Sequence, residues 1–476
     1  MSERIYKGRI KILSDFNSSD LQDFGNVVEL IKDTEPYHMQ NMNDIVYLRN
    51  YWKGVQPVLD KEKAVRPEIN NKLVVNHAQR ITRTVVGYFL GNPIQYIQSN
   101  ETARKQIDEL NALVSYEDKP STDKEIAENQ SITGTGYRII VNDDSDDVPF
   151  EEKSLDPENT YVVYNNNVLQ KPIAGITYIN LVANNKELLG KKYFVYTDFG
   201  VYVINAVGQT INQASEYEFY PYNIGGVPII EYPNNEARIG DWELFMSIMN
   251  AINDTQSNRL DDIEQVVQSL LVFTNVEIDS DTYQEMREAG VVMLNSKGQE
   301  KSKVDIIKNA LDQAGIGDYL DKLERLLDTL VGVPSRDGNS GGGADTGQAV
   351  EMRDGWADLE LLVKNKELTF KKSEKQSLKI ILSILRNMGI IDIDLRNVDI
   401  KFSRNKNHNL LVKAQSYQVL NATQTLAPAD VLSMVDLVSD ENEYAQRGEE
   451  YWKNKLETIK QDNGGLNAEP VEEGEE

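Results

Sequence analysis

Asp345-Thr346-Gly347 matches the signature of aspartic proteases, whose chemistry needs two such carboxylates sharing one proton. The chain holds a single copy, so a homodimer would have to supply the second. Protease strands should flank it, whereas here a glycine run precedes and a helical pattern follows, so Asp345 reads instead as an N-cap for a helix beginning near Gly347. The preceding run, Ser335-Arg336-Asp337-Gly338-Asn339-Ser340-Gly341-Gly342-Gly343, is too glycine-rich to hold one conformation by itself, and it lacks the Lys-Ser/Thr ending of a phosphate-cradling P-loop. Asp143 to Asp147 is oxygen-rich as a calcium loop is, but the central Gly and the closing Glu are missing, which leaves a solvated turn. His38, His77 and His408 lie far apart without metal-ligand spacing, and cysteine is absent, so no triad, zinc site or disulfide can be built. No catalytic, cofactor-binding or metal-binding residue is expected, and a hydrolase using Asp345 is the enzyme alternative.

The elements that carry these residues belong to an ordered, water-exposed protein. Hydrophobic residues make up 40% and charged residues 26% of 476. The net charge of -26 argues against a large surface that grips nucleic acid, which relies on many Lys and Arg contacts to phosphate. The start, Met1-Ser2-Glu3-Arg4, carries no signal-peptide pattern, and no apolar run reaches the length of a membrane span, so a cytoplasmic protein is expected.

Ile239 to Phe273 organises the chain. Trp242, Phe245, Met249, Ile252, Leu260, Ile263, Val267 and Leu270 recur at spacings of three and four except across Gln256, which predicts one long helix with a continuous apolar face. The polar run Asn253 to Arg259 interrupts it, and burial of unpaired amides and charges is costly, so a wet middle is expected. If helical throughout, the stretch reaches about 50 Å. A second helix, near Ile316 to Val331, puts Leu320, Leu323, Leu327 and Leu330 on one face and ends at Gly332-Val333-Pro334. Between them, short strands and a small helix make a compact insertion.

Upstream, residues 1–35 read as a polar arm with an amphipathic segment near Leu21 to Lys32 that Pro36 ends. Met39 to Arg49 is helical, and a further helix stops at Gly91-Asn92-Pro93. Helical patterns fill Glu101 to Gln130. Strands follow at Tyr137–Val141, Tyr161–Tyr164, Ile173–Ile179, Tyr193–Thr197 and Val201–Asn205, with a turn at Asn165-Asn166-Asn167, giving an α+β body. Downstream, Ala349 to Met388 is helical, interrupted near Gly355. Lys364, Lys371, Lys375 and Lys379 recur along it, as a DNA-proximal basic stripe or as a solvated face balanced by Glu360, Glu367 and Glu374. A strand at Val398–Phe402, helices around Lys413–Asn421, Asp430–Val438 and Glu441–Lys460, and an acidic, disordered end complete the chain.

Two motif blocks in the right order carry a family resemblance. Gly226-Val227-Pro228-Ile229-Ile230-Glu231-Tyr232-Pro233-Asn234-Asn235, then Gly240-Asp241-Trp242-Glu243, then Asn253-Asp254-Thr255-Gln256-Ser257-Asn258 resembles the approach to the stem helix in siphovirus-type portal proteins of tailed bacteriophages. Tyr51-Trp52-Lys53-Gly54, Asn71-Lys72-Leu73-Val74-Val75-Asn76 and Gly87-Tyr88-Phe89-Leu90-Gly91-Asn92-Pro93-Ile94-Gln95-Tyr96 resemble that family's early region, and Thr346-Gly347-Gln348-Ala349 its element beside the tunnel loop. The resemblance covers roughly residues 39 to 400.

It implies a portal fold: N-terminal arm 1–38, wing 39–240 of helices and antiparallel strands, stem helix 241–271, α/β clip 272–312, stem helix 313–332, tunnel loop 333–348, wing helix and strand 349–403, helical crown 404–463 and acidic tail 464–476. Ile252, Asn253, Asp254, Asn258, Leu260, Leu320, Leu323 and Leu327 then belong to the stem, and Ser335 to Gly343 face the channel. The implied assembly is a ring of about twelve subunits in the virion at one capsid vertex, formed in the host cytoplasm. Its implied partners are major capsid and scaffolding proteins, the terminase large subunit, a head-completion or adaptor protein and double-stranded DNA, with no membrane. Twelve stem helices about 10 Å apart would leave an opening of roughly 27 Å, enough for a duplex. Another capsid or connector scaffold protein is the remaining alternative.

Overall fold

The computed structural model describes residues 8–64, 66–98, 104–143, 147–182, 188–207, 211, 216–267, 271–274, 281, 284, 303–306, 313–334, 356–404, 410–422, 431, 432, 435 and 441–464. In chain order these form β1 (Ile12–Ser14), α1 (Phe24–Trp52), α2 (His77–Phe89), β2 (Gln95–Gln98), α3 (Arg104–Tyr116), α4 (Lys119–Thr133), β3 (Thr135–Asn142), β4 (Phe150–Leu155) and β5 (Thr160–Asn165). Then come β6 (Pro172–Val182), β7 (Leu188–Tyr196), β8 (Gly200–Val207), β9 (Glu216–Pro221), β10 (Ile229–Pro233), α5 (Met246–Val267), β11 (Leu271–Thr274), β12 (Lys303–Ile306) and α6 (Gln313–Val331). The last are α7 (Trp356–Asn387), β13 (Val398–Lys401), α8 (Leu410–Asn421) and α9 (Glu441–Gly464).

Two cores organise these elements. In the first, α1 and the 3-10 turn Ser18–Gln22 before it lie on a six-stranded sheet of order β1-β5-β6-β7-β8-β9, burying Leu21 of the turn and Val27, Val28, Leu30 and Ile31 of the helix against Tyr161, Ile176, Tyr193, Val195 and Ile204. The sheet is antiparallel except that β1 runs parallel to β5, with Ile12 opposite Val163. Asn167 closes the β5–β6 turn by accepting the amides of Leu169 and Gln170 at 3.0 and 2.9 Å, as Asn does in turns. The second core joins α2, α3, α4, the three-stranded sheet β10-β3-β4, α7 and the start of α5. β13 pairs with β2 beside it.

Residues 8–35 are therefore built into the protein, which corrects their reading as part of a polar arm. α1 also runs through Pro36 instead of ending there, and the 38/39 boundary falls inside this helix. An interior Pro costs a helix about 3 kcal/mol or more. Here α1 is held on both sides of it, by Val27 to Ile31 in the first core and by Leu48 and Tyr51 in the second, and burial overrides the local break. β1, β2, β4 and β9 are strands that the sequence pattern missed; the first three are short, and β9 is exposed at every position, so no alternation of buried residues announces it.

Candidate functional site: the root and seam of the long helix

The long helix is shorter than the sequence predicts. Glu243–Phe245 is a 3-10 turn, α5 starts at Met246 and ends at Val267, and its 22 residues span about 33 Å, not 50. The reason lies in the residues before it, which are committed to side-chain partners. Gly240 passes so close to α4 that a Cβ there would stand 2.8 Å from the Ser131 carbonyl oxygen. The Asp241 carboxylate accepts from Lys366 of α7 at 2.7 Å and from Asn234 at 2.9 Å, and although burial pushes its pKa up, Lys366 holds it below the usual carboxylate range. Trp242 is fully buried, stacks on Tyr51 at 5.5 Å and donates its indole N–H to Thr82 at 3.1 Å. Glu243 accepts the Gly240 amide at 3.0 Å and pairs with Arg9.

The turn before this root is fixed in the same way. Asn234 and Asn235 each donate to the Ile239 carbonyl at 2.8 Å, and Asn235 accepts the Ile239 amide at 3.0 Å. Glu231 is clasped by Arg238, at 2.6 and 2.9 Å, and by the Tyr164 hydroxyl at 2.6 Å. Each polar letter of the motif from Glu231 to Glu243 thus has a mechanical role in aiming α5.

Below the root the polar run is wet on one face only. Asn253, Ser257 and Asp261 are wholly buried, while Asp254 and Asn258 are exposed. The buried three form a ladder against the extended segment 71–75. The Val75 amide donates to Asn253 Oδ1 at 2.8 Å, the Leu73 amide to Ser257 Oγ at 2.9 Å and the Asn71 amide to Asp261 Oδ1 at 2.6 Å. Four helical residues rise about 6 Å and two extended residues about 6.6 Å, so acceptors spaced by four meet amides spaced by two. Asn253 also donates to Gln56 at 2.5 Å, and Asp261 takes Lys61 at 2.8 Å and Lys63 at 2.5 Å. Burial would raise the Asp261 pKa, but these lysines and the Asn71 donors drive it far below the usual range.

α6 packs against α5 with Leu320, Leu327 and Val331 buried and Leu323 half-buried in the second core. Leu330, expected on that face, is 50% exposed, and it falls with Tyr319 and Leu326 on a second, outward stripe. On α5, Leu260 and Ile263 are 41% and 46% exposed and continue the stripe whose upper part, Met249 and Ile252, is buried. β11 and β12, which lie between the helices in sequence, pair antiparallel, Leu271 opposite Ile306.

The lysine row on α7 divides. Lys371 pairs with Asp399 at 2.6 Å and Lys364 with Glu360 at 3.6 Å, leaving Lys375 and Lys379 exposed. Glu374 does not balance them, because it is completely buried, and Glu360 and Glu367 pair with Arg404. The glycine-rich residues Ser335 to Gly343, Asp345 and His408 lie outside the described residues, as does most of the Asp143–Asp147 turn. Among the described residues no group of acidic residues and histidines could hold a metal ion.

A family model, phage portal protein of the SPP1 Gp6-like type, matches residues 32–462. The chain belongs to this family of phage portal proteins. The portal protein of Bacillus phage SPP1 is 23% identical over 343 residues, covering 68% of this chain and 64% of that protein, so the match spans less than two thirds of the relative's length. Among solved structures, the neck of an empty gene transfer agent particle computed with C6 symmetry is 12% identical with a TM-score of 0.43, over 76% of this chain and 90% of that one. The virion of a native gene transfer agent particle gives 11% and 0.45, over 83% and 94%. The portal family is a structural one, and the hydrolase reading of Asp345 gains no support from these relatives.

Proposed function

We propose that copies of this portal-family chain close into a ring of about twelve through α5 and α6, and that double-stranded DNA enters and leaves a capsid through the opening. The observation that carries the proposal is that each stem helix keeps an exposed apolar stripe after the two have packed on each other, Leu260 and Ile263 on α5 and Tyr319, Leu326 and Leu330 on α6. Two different stripes make a head-to-tail contact, the kind that closes rings. A wall with net charge -26 per subunit suits passage, because weak attraction lets a duplex slide. Ser335 to Gly343 would border the channel as a tunnel loop, and Lys375 and Lys379 would be the lysines open to phosphate. The 272–312 clip would receive the terminase large subunit and later a head-completion or adaptor protein, the 404–463 crown would lie inside the capsid, and capsid and scaffolding proteins would seat the ring in the virion after assembly in the host cytoplasm. No described helix is long and apolar enough to cross a membrane.

Negative-stain imaging of the purified protein tests the proposal. Rings with a central hole are expected, and particles that stay single subunits at high concentration would overturn it.

A further inference from the structure

Six elements meet at one enclosed cluster of charge in the second core. Lys119 and Asp123 come from α4, Arg138 from β3, Glu152 from β4 and Glu374 from α7, with the hydroxyls of Tyr96 on β2 and Tyr232 on β10. All five charged side chains are no more than 3% exposed. Glu374 is fully satisfied: it accepts Tyr96 at 2.6 Å and Tyr232 at 2.8 Å and pairs with Lys119 at 2.9 Å and Arg138 at 3.2 Å. Asp123 takes Lys119 at 2.6 Å and the other arm of Arg138. Ser377 accepts a further Arg138 donation, at 3.3 Å, so that both terminal nitrogens of the guanidinium are engaged and only its Nε–H lacks an acceptor. Glu152 stands 3.5 Å from Arg138 with neither carboxylate oxygen hydrogen-bonded.

Two cations face three carboxylates, so full ionisation leaves one uncompensated negative charge where water does not reach. We propose that Glu152 is the proton-binding member of a latch between the β3–β4 hairpin and α7, closed when its carboxyl is protonated and loosened when it ionises. A proton is the cation the site lacks: it makes the cluster neutral and gives Glu152 an O–H. Burial pushes the Glu152 carboxyl up to about 7, against the pull of Arg138 and Lys119 and with the repulsion of Asp123 and Glu374. Glu374 is burdened by the same burial, yet Lys119 and Arg138 hold it low, so the extra proton goes to Glu152. Between the ordinary carboxyl range and pH 7 the folded state binds a proton that the unfolded state does not, and the latch therefore weakens as pH rises through that window. α7 begins directly after the 335–355 stretch in sequence, so the proton sets how firmly the helix leaving that stretch is held.

The test compares thermal unfolding and hydrogen exchange of the full-length protein and Glu152→Gln from pH 5 to pH 8. The variant should match the parent near pH 5 and exceed it at pH 8, by on the order of a hundredfold in the folding equilibrium, with slower exchange in β3 and β4. Identical pH profiles, or a variant weaker than the parent at pH 8, would overturn the proposal. Should the variant not fold, infrared difference spectra of the parent with isotope-labelled glutamate decide: the band of a protonated carboxyl shielded from water, distinct from that of solvated side chains, must be present at pH 6 and lost by pH 8, and its absence at pH 6 sinks the latch.

Discussion

Asn253 shows how little a residue's type says about where it sits. Its polarity, and that of Ser257 and Asp261, predicts a wet helix, yet all three are buried because their partners come from a segment about 180 residues away, which no local pattern reveals. The spacing of four was visible; the amides it serves were not. Asn253→Ala would take the acceptor from the Val75 amide and the Asn253 donor from Gln56 Oε1 in a place closed to water, and a loss of about 2–3 kcal/mol is expected in urea unfolding. Glu374 was misplaced on a solvated face, although it lies four residues from both Phe370 and Leu378 on the buried stripe of α7. His38 supplies a pH dependence. It stacks on Tyr161 at 4.4 Å, and burial lowers its pKa to about 4 although the Glu158 carbonyl favours the charged ring. Between pH 6.5 and 4 the unfolded chain therefore binds a proton that the native ring refuses, so this contribution is full above pH 6.5 and is lost on acidification, up to about 3 kcal/mol. His77 acts in the same direction, and the two oppose the Glu152 term. His38→Gln should flatten the acid limb of a melting-temperature profile, and an unchanged limb would show that His38 charges freely in the fold.

At the scale of elements, periodicity found most of what tertiary context did not override. The strands from β5 to β8, the turn at Asn165 to Asn167 and the helix α6 follow from alternation, turn chemistry and a leucine stripe. The stop at Pro36 and the start of the long helix at Asp241 did not hold, because one depends on two cores gripping α1 and the other on Lys366, Thr82 and Arg9 reaching Asp241, Trp242 and Glu243 from elsewhere. The outward stripes also need the structure, since the sequence shows apolar residues at helical spacing without saying which half a protomer covers. They lead to a clean separation of folding from assembly. Leu326→Asp places a charge on a side chain already 47% exposed, so the melting temperature of the single subunit should change little, while sedimentation should show the ring dissociating at concentrations where the parent stays assembled. Intact rings in that variant would move the subunit contact off α6.

For the whole molecule, the question is whether the stretch between α6 and α7 serves assembly or passage. Gly338, Gly341, Gly342 and Gly343 contribute no side-chain area, so deleting residues 337–343 removes little apolar burial, and ring formation should survive. A short glycine-rich loop bordering the opening could follow a moving duplex and hinder its backward slip with little lasting attraction, because Arg336 is its one basic residue and Asp337 offsets it. A loop that merely joins two helices would have no such effect. Packaging by particles carrying the deletion separates the cases. Rings that form but fail to fill capsids, or that lose packaged DNA, are the expected result. Normal packaging and retention would reduce the loop to a linker, and loss of rings would assign it to the contact between subunits.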